Sequence, residues 1–441
     1  MVLRLESLPK KLGAIALVAV ASAPVSASLF TTFRTEQFRR AGTADSLAQA
    51  LALQPQNAQL HNHLGRILLY SPEGDSRQAE LHLERATALD PRSGDYWTDL
   101  ALAREMRGDV NGAGAALARA HQAEPRTPLI EWHSMNFLLR RGETERALES
   151  AGRLLQAAPD YTTRVVPVLS NAIPMDRLIE TIVPSQPRVL CDLLAVIARS
   201  RDHAGAARAW DRTIRSGAEF RAACFQGFLD SLIAAGDAGL AQRVWKDSIQ
   251  RGWLAADRSA LEPVFYNGDF RYPLLNSGFD WRVTPQAEAS VWIEARGPEP
   301  GQQSVCIEFA PDAKSDYSHL SRYIPVEPNT DYLIRAHIRS DRLESRQGAY
   351  LWVQEVRADA AAPAPLLTAR SDTWSGTNRW KEIAFRFTAG PQTRLVLMQL
   401  RRPGVLATEP SAAGTTCLSA VDWSVAGRAP QNDDSVRGGR P

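Results

Sequence analysis

The residues of this sequence that could do chemistry are few. His61, His63 and His82 form the only local histidine cluster, and a spacing of two on a predicted helix puts the first two about 200° apart, too far to share a ligand directly. The nucleophile motif G-x-S-x-G, the phosphate loop G-x-x-x-x-G-K, the zinc motif H-E-x-x-H and paired-cysteine metal motifs are all missing from the sequence. We therefore predict no metal centre and no enzyme.

Two acidic residues keep an enzymatic alternative open, because a glycoside hydrolase needs only two well-placed carboxylates. Glu355 and Glu382 are the candidate pair. The alternation of apolar residues around them turns one carboxylate inward and the other outward, so the pair is mismatched. An enzyme acting on polysaccharide is the alternative to a binding protein.

A second set of side chains could bind a ligand without reacting. Alternating apolar and polar residues in segments 331–339, 350–356 and 381–387 predict strands with one buried face. The opposite face would carry an aromatic ring and planar hydrogen-bonding groups suited to sugars: Arg335, His337, Trp352, Gln354 and Arg386. The alternative is that this face packs on the helical part of the chain or on loop 359–373.

The elements that must position these residues show a period of 34 residues. Three prolines follow one another at this interval: Pro91, Pro125 and Pro159. An alanine lies 12 residues before each of them, at Ala79, Ala113 and Ala147. Two registers kept at once predict repeated helical hairpins, each closed by a proline that cannot continue the helix.

This pattern closely resembles the tetratricopeptide repeat family over residues 57–159. The resemblance implies a solenoid whose concave groove binds a protein partner. Asn62 and Arg66 would point into that groove, a pair that suits a carboxylate-bearing peptide end. Members that clamp such ends continue with amide and basic residues in the following units, whereas this chain has Asp99 and Glu105. We therefore predict a groove of mixed charge and a protein partner of unspecified identity.

Further helices are predicted on both sides of these repeats. Upstream, three residues fit the second helix of a preceding unit: Leu47, Ala50 and Pro55. Downstream, a small residue, a tryptophan and a hydroxyl residue recur at a 35-residue interval, at Ala206, Trp210 and Thr213 and again at Ala241, Trp245 and Ser248. These predict the second helices of two degenerate units without a closing proline.

After about residue 263 the pattern changes to short alternating runs separated by Gly, Pro, Asn and Asp, which predicts a sandwich. Eight strands are expected: 290–294, 304–309, 321–326, 331–339, 350–356, 381–387, 394–400 and 417–425.

The segments N-G-D-F at 267–270 and F-D-W at 279–281 resemble the entry strand of carbohydrate-binding jelly rolls. That resemblance implies a sugar-binding sandwich. Members often hold a structural calcium through a glutamate after the first phenylalanine together with a carboxyl-terminal aspartate. Here Arg271 takes the place of the glutamate, Asp422 stands by itself, and Asp269 would have to substitute. We predict no cofactor, with calcium as the alternative.

The amino terminus has the parts of a secretory signal. Basic residues precede the apolar run 12–23: Arg4, Lys10 and Lys11. Small residues follow at 25–27, where cleavage after Ala27 is one alternative. Extended to Phe30, the segment approaches the roughly 20 residues of a membrane-spanning helix. We expect an uncleaved membrane anchor, and both alternatives export the rest of the chain.

Composition excludes some partners and leaves the cysteines open. The 441 residues carry a net charge of only +2, with basic residues spread along the chain, so nucleic acid is not a predicted partner. Cys191 and Cys224 precede residue 263, and Cys306 and Cys417 follow it. Export would allow one disulfide in each part, and four buried free cysteines are the alternative.

We therefore predict a multidomain α + β protein. Residues 1–30 are a signal peptide or membrane anchor, 31–262 an all-α tetratricopeptide-like solenoid, 263–428 an all-β jelly-roll sandwich, and 429–441 a disordered tail. The predicted function is a non-enzymatic extracytoplasmic adaptor, anchored or periplasmic, that binds a protein and a polysaccharide in bacterial polysaccharide biosynthesis or secretion. A polysaccharide-acting enzyme and a sandwich that only caps the solenoid are the alternatives.

Overall fold

A computed structural model of the protein describes residues 8–72, 74–200, 203, 205–255, 266–344, 346–357, 366–404 and 413–428. The chain divides into two compact units, Met1–Ala158 and Pro159–Pro441. The predicted junction at 262/263 and the predicted tail 429–441 lie outside the described residues, so the predicted domain bounds stay predictions.

The first unit is built of helices that pair as antiparallel hairpins. In chain order these are α1 Leu8–Ala41, α2 Ala44–Leu53, α3 Ala58–Tyr70, α4 Ser76–Leu89, α5 Gly94–Met106, α6 Val110–Ala123, α7 Pro128–Arg140 and α8 Thr144–Ala157. The 34-residue period gives the hairpins α3–α4, α5–α6 and α7–α8, as predicted. Each predicted closing proline follows the residue that caps the second helix of its hairpin.

Close helix contact explains the small residues of the repeat. Ala79, Ala113 and Ala147 are fully buried on the second helices. Gly65 on α3 has no room for a side chain, because a Cβ atom there would lie 2.6 Å from Cγ of Leu83 on α4. The helices of a hairpin can therefore approach until backbone and side chain touch.

The long helix α1 forms the first hairpin with α2. It ends at Ala41, where Gly42 adopts a left-handed φ of +67°. Phe38 packs on the cluster around Leu47 and Ala50, which confirms the predicted upstream unit.

The amino-terminal part of α1 does not support the predicted membrane-spanning anchor. Within the described residues, no helix joins the length and the apolar character required to cross a membrane. Ser22, Pro24 and Ser26 interrupt the apolar run with small and polar groups, which lowers its gain on transfer to lipid.

The second unit begins with a 3-10 turn, Pro159–Tyr161, and six helices: α9 Thr162–Ser170, α10 Met175–Thr181, α11 Pro187–Ser200, α12 Ala206–Arg215, α13 Ala222–Ala234 and α14 Ala238–Gln250. The two predicted degenerate units are confirmed, since their marker residues are buried on α12 and α14. A disulfide between Cys191 and Cys224 joins α11 to α13.

All eight predicted strands are present, with two short additional ones. The strands are β1 Arg282–Val283, β2 Ala289–Glu294, β3 Ser304–Phe309, β4 Tyr317–Pro325, β5 Thr330–Leu343, β6 Tyr350–Glu355, β7 Thr368–Arg370, β8 Gly376–Thr388, β9 Leu395–Arg402 and β10 Gly414–Arg428. They form two five-stranded antiparallel sheets. We call the order β1-β4-β9-β6-β7 the first sheet and the order β2-β3-β10-β5-β8 the second sheet.

The two sheets bury their inner faces against each other. Ile334 and Ala336 on β5 share one core with Leu351 and Val353 on β6, all of them fully buried. The predicted alternation along these strands is therefore confirmed. Cys306 on β3 and Cys417 on β10 stand directly opposite each other and form the second disulfide.

Helices and sandwich also contact each other within the second unit. The Trp245 ring on α14 meets Tyr266 at 5.2 Å and Phe279 at 5.8 Å between ring centres, both edge to face. Asp230 on α13 accepts hydrogen bonds from the Gly278 amide at 2.8 Å and from Arg282 at 2.6 Å. The entry segment of the sandwich is thus fixed to the last helical hairpin.

Candidate functional site

The structure separates the five residues predicted to form one ligand face. Trp352 and Gln354 lie on β6 in the first sheet. Arg335 and His337 on β5, and Arg386 on β8, lie in the second sheet. Since the inner faces of both sheets fill the same core, the two groups look outward on opposite sides of the sandwich. They belong to two candidate faces.

The outer side of the first sheet carries what we call the arginine–aromatic face, formed by Tyr350, Trp352, Arg370, Gln399 and Arg401. Strand register places Trp352 between Gln399 and Arg370, and Tyr350 opposite Arg401. Arg370 is exposed and the other four are half-buried. Rings, an amide and guanidinium groups therefore occupy neighbouring positions on β6, β7 and β9.

Contacts on the arginine–aromatic face run diagonally. The guanidinium carbon of Arg401 lies 4.9 Å from the Trp352 ring centre, and that of Arg370 lies 5.5 Å from the Tyr350 ring centre. Both distances lie within the range of favourable cation–π contacts. Nε1 of Trp352 is buried without a hydrogen-bond partner, although indole N–H groups usually find one.

Charge on the arginine–aromatic face is of one sign. Of the strand residues described on the outer side of the first sheet, none is Asp or Glu. Arg282 at the β1 edge pairs with Asp230. Arg370 and Arg401 make no ion pair with any described residue. Two guanidinium groups are thus left without a counter-charge.

The outer side of the second sheet is more neutral. Arg335, with 47% of its side chain exposed, lies 3.9 Å from Glu382, and His337 stands opposite Glu382 in the register. Arg339 bonds to Glu294, and its Nη2 also lies 3.3 Å from Sγ of Cys417. Arginines here are paired with carboxylates, which leaves less free charge for a ligand.

The candidate catalytic carboxylates lie on different sheets. Glu355 on β6 is 4% exposed, and Glu382 on β8 is exposed on the second sheet. Burial by itself would raise the pKa of Glu355, but hydrogen bonds from Arg357, Thr393 and the Leu367 amide lower it overall. A carboxylate held ionised in this way is a poor proton donor, and the structure does not bring the pair together.

The groove residues predicted in the repeats are engaged with each other. Asn62, 8% exposed, donates from Nδ2 to Asp99 at 2.8 Å, and Arg66 lies 3.9 Å from the same carboxylate. Burial raises the pKa of Asp99, against the opposing effects of Asn62 and Arg66. The two residues therefore hold a carboxylate that the next repeat supplies.

Mixed charge continues along the first helices of the repeats. Arg140 on α7 binds Glu105 on α5 through two hydrogen bonds of 2.7 Å. Burial, together with the nearby Arg140 charge, lowers the pKa of His133. The histidine cluster is also partly resolved into a contact, because Nδ1 of His61 lies 3.0 Å from Nδ1 of His82.

A second groove, of about 410 Å³, lies between α6 and α8 with α7 as its floor. Gly114 on α6 leaves room above Phe137, since a Cβ atom there would be 3.6 Å from the ring. Leu117 and Leu138 add apolar surface, and Arg146 adds charge at the rim. The sequence offered only the small residues of α6 as a signal for this groove.

The positions compared with the calcium-binding jelly rolls are occupied by internal contacts. Arg271 pairs with Asp269 at 2.8 Å, so that aspartate already has a positive partner. The buried Arg322 donates to the carbonyl oxygens of Tyr266 and Phe279. A guanidinium group therefore fixes the entry segment of this sandwich.

Two members of the arginine–aromatic face were missing from the sequence prediction. Arg401 follows the inward Leu400 in β9, so the alternation could have identified it as outward. Arg370 lies on β7, which has only three residues, too few to show a period. No residue pattern indicated that β7 and β9 flank β6.

No family model and no curated protein matches the sequence. Three solved structures resemble parts of it, each below 20% identity and with a TM-score under 0.3. The enzymatically active domain of tailspike protein 4 from bacteriophage CBA120 is 11% identical with a TM-score of 0.28, and the match covers 37% of this chain and 22% of that one.

The other two structures are matched over most of their length. A CBM4 structure is 16% identical with a TM-score of 0.25, over 36% of this chain and 99% of that one. MamA is 15% identical with a TM-score of 0.28, over 43% of this chain and 91% of that one. These values show similarity of parts and carry no statement on activity.

Proposed function

We propose that this protein is a non-enzymatic exported adaptor whose repeats bind a protein partner and whose sandwich binds a glycan. The arginine–aromatic face carries the proposal, because it gathers rings and planar hydrogen-bonding groups on one open sheet. Binding sites for sugars need this combination of apolar surface and oriented polar groups. As its setting we propose bacterial polysaccharide biosynthesis or secretion, on the architecture alone.

Glycan arrays probed with the full chain test the sandwich. We expect signals that are lost in Trp352→Ala and kept in His337→Ala, its matched control on the second sheet. Loss only in His337→Ala would transfer the site to the second sheet. An array without signals would remove the glycan part of the proposal.

The protein partner is proposed for the groove around Asp99. Supporting it are the mixed charges that line this surface and the exposed Arg66, whose side chain is 56% accessible. A pulldown from envelope extracts should recover a partner with the wild type and with Arg85→Glu on α4, but not with Arg66→Glu. Equal recovery by all three would exclude this groove.

Export is proposed from the amino-terminal signal pattern and from the two disulfides, which persist in oxidising compartments. Residues 1–45 fused to a phosphatase that is active only outside the cytoplasm should give active enzyme. An inactive fusion at normal expression would contradict export.

A structural role for the sandwich is the second candidate, favoured by its contacts with Trp245 and Asp230 in the same unit. In that case it would protect the apolar end of the last hairpin and bind no ligand. Retained folding of the chain together with complete indifference to glycans would support it.

A further inference from the structure

We propose that the arginine–aromatic face binds an acidic polysaccharide, recognising its carboxylate groups through Arg370 and Arg401. This inference rests on the proposed glycan-binding function and narrows it to one ligand class. The neighbouring Tyr350, Trp352 and Gln399 set the positions of the two guanidinium groups and supply contacts to the sugar.

The first argument concerns the rings. Sugars commonly stack on an open aromatic face, but here a guanidinium group lies 4.9 Å from the centre of Trp352 and another lies 5.5 Å from the centre of Tyr350. These contacts compete with a sugar for the ring surfaces. What the face offers instead is guanidinium N–H donors whose positions the rings restrict.

The second argument concerns charge. Neither Arg370 nor Arg401 has a carboxylate partner among the described residues, whereas Arg335 and Arg339 on the second sheet both do. A ligand that brings carboxylates supplies the missing counter-charge. Arginine is suited to this, because its planar fork binds a carboxylate through two parallel hydrogen bonds.

The third argument concerns spacing in the sheet. Arg370 and Arg401 belong to β7 and β9, the two neighbours of β6, so they lie on either side of one strand. Adjacent strands are about 4.8 Å apart, which puts positions on β7 and β9 about 10 Å apart. Two charged positions at this separation fit a polymer with repeated acidic residues better than a single small anion.

Calorimetric titration of the full chain with polygalacturonate and with its fully methyl-esterified form is the test. The ester has the same backbone without the charge. We expect the acid to bind at least about tenfold more tightly than the ester, and binding to weaken as salt increases.

Variants identify the residues. Arg370→Ala and Arg401→Ala should each weaken polygalacturonate binding at least about tenfold. Arg401→Lys keeps the charge but not the fork, so it should lose most of the affinity while its melting temperature stays that of the wild type. Arg335→Ala, on the opposite side of the sandwich, is the matched control and should bind normally.

The outcomes separate this inference from the function on which it rests. Equal binding of acid and ester, or a loss in Arg335→Ala as large as in Arg401→Ala, overturns the acidic ligand but leaves glycan binding intact. Binding of monomeric galacturonate as tight as that of the polymer overturns the polysaccharide. No binding to either polymer or to any arrayed glycan overturns both.

Discussion

At the scale of single residues, charged groups buried by the fold have fixed partners. Asp99 accepts from Asn62, Glu355 accepts from Thr393 and Arg357, and Arg322 donates to two backbone carbonyls. Burying a charge is costly unless such bonds replace the lost water. Removing one partner should therefore cost more than removing an exposed ion pair.

The buried Asp99 predicts a pH dependence in the repeats. Its pKa is raised, chiefly by burial, so the folded protein holds this proton more tightly than the unfolded chain does. The corresponding stability is present below about pH 4 and is lost as the pH rises through the folded pKa. Asp99→Asn should therefore gain stability relative to the wild type as the pH rises from about 4 to 7.

Urea unfolding at several pH values measures this difference. Asp95→Asn, in the same helix, is the control, and its difference from the wild type should vary less with pH. A constant difference for Asp99→Asn across this range would contradict the assigned pKa shift.

Arg322 predicts a large effect on the sandwich. It is 1% exposed, and burial lowers its pKa to about 9 despite the nearby Asp280. Arg322→Met would leave the carbonyls of Tyr266 and Phe279 without this donor and Asp280 without its neighbouring charge. We expect a loss of about 3–5 kcal/mol in the free energy of unfolding.

Exposed arginines give the comparison for Arg322. Arg335→Met should change the free energy of unfolding by no more than about 0.5 kcal/mol. Similar urea midpoints for the two variants would mean that Arg322 does not organise the entry segment.

At the scale of elements, helix hairpins depend on positions where no side chain fits. Gly65 is such a position, because its missing Cβ would meet both Leu83 and the carbonyl oxygen of Ala79. Gly152 on α8 is the opposite case, since nothing lies within 4 Å of a Cβ placed there. The two glycines separate packing from helix propensity.

Alanine at these two glycines should act in opposite directions. Gly65→Ala should lower the free energy of unfolding by about 1–3 kcal/mol through overpacking. Gly152→Ala should raise it by up to about 1 kcal/mol, because alanine favours the helix more than glycine does. Thermal unfolding of both variants checks the prediction, and a stabilised Gly65→Ala would contradict the close α3–α4 contact.

At the scale of the whole molecule, each compact unit is considered by itself. The second unit joins helices to a sandwich through Trp245, which is 8% exposed and packs on Tyr266 and Phe279. Burial of so large a ring between two kinds of element favours unfolding of both together. This contact decides whether the sandwich acts as a structural partner of the last hairpin.

Trp245→Ala should cost about 3–5 kcal/mol and split the unfolding of residues 159–441 into separate transitions. Far-ultraviolet circular dichroism would follow the helices, and the fluorescence of the remaining tryptophans would follow the sandwich. Trp292→Ala, a 40% exposed ring on β2, is the control. A single transition in Trp245→Ala would show that other contacts suffice.

Local patterns in the sequence determined most of the elements. The 34-residue spacing of prolines and alanines predicted the helix hairpins, because helix packing and helix termination both depend on neighbouring residues. Period-two alternation predicted eight strands and the inward side of each, as Ile334 and Leu351 show. The free or bonded state of the cysteines was open, since spacing does not reveal which sulfur atoms meet.

Only the tertiary structure decided which outward residues share a face. Alternation told that Arg335 and Trp352 point away from a core, but not that their strands belong to opposite sheets. Strand pairing joins β6 to β7 and β9, segments that are distant or too short to show a pattern. The sequence by itself therefore determined elements and their buried sides, through short-range chemistry. Long-range hydrogen bonding between strands decided that Trp352 would meet Arg370 and Arg401.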